Sequence, residues 1–398
     1  MAVAHEPAIE RSLIDSAVEF RRDLHRHPEL AYQETRTSQQ VAQWLSAIGV
    51  EFRTGLAGGT GVLGWLPATS ANAGTIALRA DMDALPILEA TGLEYSSTRD
   101  GLMHACGHDG HTSILAAVAA SLARTPERRN NVLFVFQPAE EGGAGGKRMV
   151  EEGALTGEIL GLPAQLIYGL HCSNFYDVGQ VTTCDGAMLA SATQFNIRVK
   201  GKGGHAAAPH LGVDPTVIAA HILIGLQSIA SRGVDPLDSI VVSVPMIHGG
   251  TAHNVIPDYV ELEGTLRTLQ EKTREFAMRR IPEIAKGIAE GLGGSAETSY
   301  QNDPYPVTVN EPAAAARFRR LMEGTAGIEL QPDCVPVMGG EDFSFYGYSG
   351  VPACFYWLGI RPRGQESYPN VHTPQFNFND DALEVGVRAM TTLALAPL

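Results

Sequence analysis

The stretch Asn131–Gly146, NVLFVFQPAEEGGAGG, decides the fold. Its first six residues are almost continuously apolar, the pattern of a strand buried on both faces of a parallel sheet. Two adjacent carboxylates, Glu140 and Glu141, follow at once, and then the glycine-rich run Gly142–Gly146. Three other short runs share the character of the first: Thr75–Arg79 (TIALR), Gln165–Gly169 (QLIYG) and Ala353–Leu358 (ACFYWL). Gly110–Arg124 (GHTSILAAVAASLAR) predicts a helix between two of them. Residues 8–25 and 34–48 predict amphipathic helices, split by the HRHPEL turn around Pro28. Together these make an α/β layer with a mostly parallel sheet.

The middle of the chain has a different period. Phe195, Ile197 and Val199 alternate with Asn196, Arg198 and Lys200, as in a half-exposed strand. A helix is predicted over 215–231, strands over 239–247 and 259–269, a long helix over 271–292 and a strand over 296–300. That order, β-α-β-β-α-β, is the ferredoxin-like split unit. Residues 187–303 therefore read as a small α+β domain inserted into an α/β domain formed by 1–186 and 304–398.

Length supports the division, since 398 residues exceed one ordinary core. The net charge of -15 argues against nucleic acid and anionic lipid as partners. The start, MAVAHEPAIERSLIDSAVEF, lacks the basic and apolar regions of a secretory signal, and no run approaches a membrane span. Five scattered cysteines, Cys106, Cys172, Cys184, Cys334 and Cys354, read as reduced thiols of a cytoplasmic protein.

Acids and imidazoles collect after the buried strands. Asp81 and Asp83 follow TIALR, Glu140 and Glu141 follow NVLFVFQPA, His171 follows QLIYGL, and His372 lies beyond ACFYWLG. The carboxyl ends of strands are where open α/β sheets build their sites. Adjacent carboxylates repel one another and resist burial, and a metal removes that cost. The densest signal is His104-Ala-Cys106-Gly-His108-Asp109-Gly-His111, just before a predicted helix. The helix dipole there is expected to lower the Cys106 pKa, and a thiolate with imidazoles and carboxylates suits zinc or a similar ion. His104 and His111 read as supporting or capping residues. His25 and His27, far from any strand end, read as structural.

Other chemistries fit less well. Gly59–Gly64 matches G-x-G-x-x-G, but Trp65-Leu66-Pro67 follows and no helix opens there. Neither H-E-x-x-H nor G-x-S-x-G occurs. Cys106 as a nucleophile leaves Glu140, Glu141, His171 and His372 without a purpose.

RADMDALP (79–86), MHACGHDGH (103–111), QPAEEGGAGG (137–146), GLH (169–171), GKGGHAAAPH (201–210), HNVIPD (253–258), GGEDFSFY (339–346) and VHTPQF (371–376) occur in one order. Jointly they resemble the aminoacylase/carboxypeptidase clan of dinuclear metallopeptidases, in its N-acyl-amino-acid amidohydrolase branch. The resemblance spans nearly the whole chain. It implies a catalytic domain carrying an inserted lid or dimerisation domain, and a homodimer or higher homo-oligomer. It implies two divalent metal ions (Zn, Mn, Ni or Co) held by Cys106, His108, Glu141, His171 and His372. Relatives in other branches have a His-x-Asp pair and a bridging aspartate. Here Asp81-x-Asp83 stands in the first place, and the Cys106 thiolate takes the bridging role.

The implied reaction is hydrolysis of small N-acyl amino acids such as hippurate. Two ions ~3.5–4 Å apart would activate a shared water. Glu140 would act as general base, Asp83 would orient a ligand, and His205 would donate to the oxyanion. Arg267 and Asn254 would receive the substrate carboxylate. A dipeptidase or carboxypeptidase of the same clan is the rival within the class. A metal-stabilised binding protein without turnover is the rival outside it, and the retention of Glu140 argues against that.

Overall fold

The computed structural model describes residues 9–398, so the first eight residues of the N-terminal stretch lie outside it. Contacts divide the chain into two compact units. One comprises the chain up to Gly186 with Val309–Val335 and Asp342–Leu398; the other comprises Ala187–Thr308 with Pro336–Glu341.

The larger unit begins with α1 (Arg11–Arg26), α2 (Thr35–Ala47), β1 (Glu51–Leu56), β2 (Gly61–Leu66) and β3 (Thr75–Asp81). Then come α3 (His108–Ala123), β4 (Asn131–Gln137), α4 (Gly145–Glu151), β5 (Leu166–Asp177) and β6 (Gln180–Thr182). The smaller unit contributes β7 (Ser191–Lys200), α5 (Pro215–Ser228), β8 (Ile240–His248), β9 (Tyr259–Thr268), α6 (Glu271–Gly291) and β10 (Ser295–Tyr300). The chain then adds α7 (Pro312–Glu323), β11 (Glu329–Leu330), α8 (Ser344–Tyr348), β12 (Ala353–Arg361) and α9 (Asp381–Leu395) to the larger unit.

The larger unit is built on an eight-stranded sheet of order β1-β2-β4-β3-β5-β12-β6-β11. Its centre, β4-β3-β5-β12, is parallel, and β1 and β2 flank it antiparallel. Both β3 and β4 are buried at every residue, which is what their unbroken apolar runs require. Helix α3 is buried from His108 through Leu122 and packs against α1, α9 and β3. A helix apolar all round can only sit inside, and its first turn carries His108, Asp109 and His111 with it.

The smaller unit has a four-stranded antiparallel sheet of order β8-β9-β7-β10. Phe195, Ile197 and Val199 form its core with Ile218, Ile222, Ala277 and Ile281 of α5 and α6. The period-two reading of 195–200 thus predicted the buried face. Pro215 opens α5 and the Asp214 side chain accepts from the Thr216 N–H, so that helix start is capped as its sequence dictates. Among the described residues no helix is long and apolar enough to cross a membrane.

Two expectations need correction. His171 does not lie beyond a strand ending at 169; β5 continues to Asp177, and His171 sits within it, paired in register with Trp357. Glycine and a polar residue there look like a strand end in sequence, but pairing with β12 extends the strand. The HRHPEL turn is not remote from the strand ends either. The Ala84 N–H donates to the Glu29 carbonyl at 2.8 Å, and Leu30 bridges to Ala84 just past β3.

Candidate metal centre

The donors converge because three backbone features place them. Gly107 has φ 88° between Cys106 and His108, and a Cβ there would lie 2.6 Å from Cys172 Sγ. Only glycine makes that turn into α3. Ala139 has φ 56°, reversing the chain just before Glu140 and Glu141. His372 has φ 62°, an unfavourable conformation for a side-chain-bearing residue, held by its N–H donating to the Ala105 carbonyl at 2.7 Å.

The groups of metal-capable atoms that result, each mutually within 4.8 Å, include Cys106, His108 and His171, and Cys106, Glu141 and His372; others are Asp81, His108 and His111, and His111, His171 and Cys172. Cys106 belongs to the first two. Cys106 Sγ lies 3.3 Å from His171 Nε2, and His372 Nε2 lies 3.0 Å from Glu141 Oε1. His108, Glu140 and Glu141 form a further such group.

Hydrogen bonding fixes which ring nitrogens can ligate. His171 Nδ1 lies 2.8 Å from the Cys172 carbonyl and must donate, so Nε2 keeps its lone pair facing Cys106. His108 Nδ1 is 3.0 Å from the Asp83 carbonyl and 3.3 Å from its Oδ1, while His108 Nε2 is buried with no hydrogen-bond partner. That orphaned nitrogen among carboxylates is what a metal ligand looks like without its ion. His111 is different. Its Nε2 accepts from the Cys172 N–H at 2.9 Å and its Nδ1 donates to Asp81 Oδ1 at 2.7 Å. Both nitrogens are used, so His111 supports β5 rather than offering a lone pair.

The field of the site is strongly negative. Burial opposes charge on His108, yet Asp81 and Asp83 overcome it and raise its pKa to about 10. Burial also opposes charge on Glu141, but His372 and His108 hold its pKa down. Burial pushes His171 well below the usual imidazole range. Cys106 corrects the sequence reading. Burial, reinforced by Glu141 and other neighbours, pushes its thiol well up rather than down. A thiolate here needs a cation beside it.

Sequence reasoning missed the network behind these donors. His25 is buried, with Nδ1 2.8 Å from Asp109 Oδ2 and Nε2 3.4 Å from Glu89, and Arg21 reaches the same Asp109 oxygen at 3.3 Å. Arg79 is buried between Asp81 and Asp342. An arginine at the end of an otherwise apolar buried strand was the available signal. His104 is buried with neither ring nitrogen hydrogen-bonded, and burial lowers its pKa to about 4.

Residues 77–396 match the model of peptidase family M20/M25/M40. The chain belongs to this family. It is 39% identical over 391 residues to IAA-amino acid hydrolase ILR1-like 5 of Arabidopsis thaliana, covering 97% of this chain and 88% of that protein. It is 38% identical over 389 residues to N-acetylcysteine deacetylase of Bacillus subtilis (strain 168), covering 96% of each. Among solved structures it resembles the Bacillus subtilis YXEP protein, described as a dinuclear metal binding peptidase from the M20 family. The TM-score is 0.82 at 33% identity, covering 97% of this chain and 98% of that one. As an M20-family chain it is a hydrolase of amide bonds, and the clustered donors are those of a divalent-metal protein.

The smaller unit places the remaining predicted residues. His205 is exposed and paired with Val255, and its Nδ1 accepts from the Ala207 N–H at 3.0 Å. In the neutral ring the proton therefore sits on Nε2. Asn254 is exposed next to Val255. Arg267 is half-buried on β9, where burial lowers its pKa, and among the described residues no carboxylate offsets this. A Cβ on Gly340 would lie 2.9 Å from Arg267 Nη1, so glycine leaves room for the guanidinium.

Proposed function

We propose that this chain hydrolyses N-acyl amino acids to a carboxylic acid and a free amino acid, with Glu140 as general base beside a two-metal centre. The observation that carries this reading is the different partnership of two adjacent glutamates. Both group with His108, but Glu141 also groups with Cys106 and His372, while Glu140 Oε1 accepts from the Asp342 N–H at 3.3 Å. Cys106, His108, Glu141, His171 and His372 would hold two divalent ions of the zinc, manganese, nickel or cobalt kind, with Cys106 common to both. Bound there, the ions would polarise the amide carbonyl and make water more acidic.

The protein's own groups do the rest. Glu140 takes a proton from the attacking water and passes it to the leaving nitrogen, a role that typically contributes ~10²–10⁴ in rate. Asp83 accepts from the Glu140 and Glu141 N–H groups at 3.0 and 2.9 Å and receives His108 Nδ1, so it orients base and ligands together. His205 donates its Nε2–H to the developing oxyanion. Arg267, with Asn254, binds the substrate carboxylate, which supplies the anion its surroundings lack. Support for a homodimer comes from β8, an edge strand whose Met246 and Ile247 are exposed.

Dialysis against a chelator tests the reading. Hydrolysis of hippurate and N-acetyl amino acids should fall to background and return on adding Zn, Mn, Co or Ni. Turnover that survives metal removal would replace this reading with Cys106 as nucleophile. A second variant tests the carboxylate site. Arg267→Ala should raise KM for N-acyl amino acids by roughly tenfold to a hundredfold, the loss of a charge-assisted bond. It should leave the slow hydrolysis of an N-acyl alkylamine unchanged; an equal effect on both would remove Arg267 from that role.

A further inference from the structure

The charges buried around Arg79 are not explained by the metal ligands. The side chains of Arg79, Asp81 and Asp342 have no exposed surface. Arg79 Nη1 donates to Asp81 Oδ2 at 2.6 Å, Nη2 to Asp342 Oδ1 at 2.9 Å and Nε to Gln137 Oε1 at 2.8 Å. Buried ion clusters are often no more stabilising than apolar packing of similar volume, because desolvation offsets their attraction.

Asp342 is where the network reaches the base. Its carboxylate accepts from Arg79 Nη2, from Gln137 Nε2 at 2.8 and 2.9 Å, and from the Gly146 N–H at 2.7 Å. Donors from β3, β4 and α4 thereby fix the peptide whose own N–H points at Glu140 Oε1. Asp83 holds the backbone N–H groups of Glu140 and Glu141. Glu141 is turned by His372. The Asp342 N–H is a contact made to the Glu140 carboxylate itself.

We propose that Asp342 is a positioning residue for Glu140, using the Arg79–Gln137–Gly146 cradle to aim its N–H at the base carboxylate. This rests on Glu140 being the base. The Gly-Gly-Glu-Asp-Phe segment containing Asp342 thus acquires a role in the reaction through the base that it positions.

The test is a double-mutant cycle on the metal-loaded full chain, with N-acetyl amino acid as substrate. Asp342→Asn should lower kcat by about tenfold to a hundredfold, the scale of a small misplacement of a catalytic group, with KM and metal content unchanged. In a Glu140→Asp background, whose shortened carboxylate no longer reaches the Asp342 N–H, the same substitution should cost little more. Equal losses in both backgrounds, lost metal, a raised KM or an unchanged kcat would each overturn the proposal. If Asp342→Asn does not fold, Gly146→Ala serves in the cycle. Its Cβ would press on the Asp342 carbonyl at 2.7 Å and shift the peptide without removing a charge. Normal turnover by Glu140→Gln would instead overturn the base assignment, so the two failures are distinguishable.

Discussion

Glu140→Gln is expected to keep its fold and its metal and to lose hydrolysis by ~10²–10⁴ or more. Glutamine has the shape of glutamate, and its Oε1 can still accept from the Asp342 N–H. The loop is held by Asp83 through the N–H groups of residues 140 and 141, which the substitution leaves in place. What disappears is the ability to take a proton. Three measurements together decide it: metal content, melting temperature and kcat on an N-acyl amino acid. Normal turnover would end the base assignment. Loss of an ion with loss of activity would move Glu140 into the ligand set, a live alternative because His108, Glu140 and Glu141 lie within one metal-sized group.

Much of this arrangement was legible in the sequence, and the limits have physical causes. NVLFVF and TIALR could be recognised as central strands because burial on both faces leaves no polar position, and β4 and β3 are buried throughout. The alternation at 195–200 located the core face of the smaller sheet for the converse reason. His171 was placed past its strand because a strand's length is set by its neighbour, and pairing with β12 is not written locally. The sign of the Cys106 shift was missed because a helix dipole is visible in sequence, whereas burial and the approach of Glu141, distant in the chain, are not. The Arg79–Asp342 pair, 263 residues apart, lay beyond any local pattern.

The bridging role proposed for the Cys106 thiol makes the other large effect. Cys106 joins the group of His108 and His171 to that of Glu141 and His372, so Cys106→Ala should weaken both proposed ions by more than about 100-fold and abolish activity. His171→Ala and His372→Ala each remove a donor from one group, and each should leave an ion bound in the other. Metal content after gel filtration separates these outcomes, and Cys106→Ala retaining two ions with activity would refute the bridge. Cys106→Asp carries the argument further. It supplies an anion whose ordinary pKa lies far below that of a thiol, and a hard oxygen where a soft sulfur stood. It should restore metal binding relative to Cys106→Ala, with the preference moved from zinc toward manganese. If the metal preference stays as in the parent, the thiolate is not what sets it, and selectivity lies with the imidazoles of His108, His171 and His372.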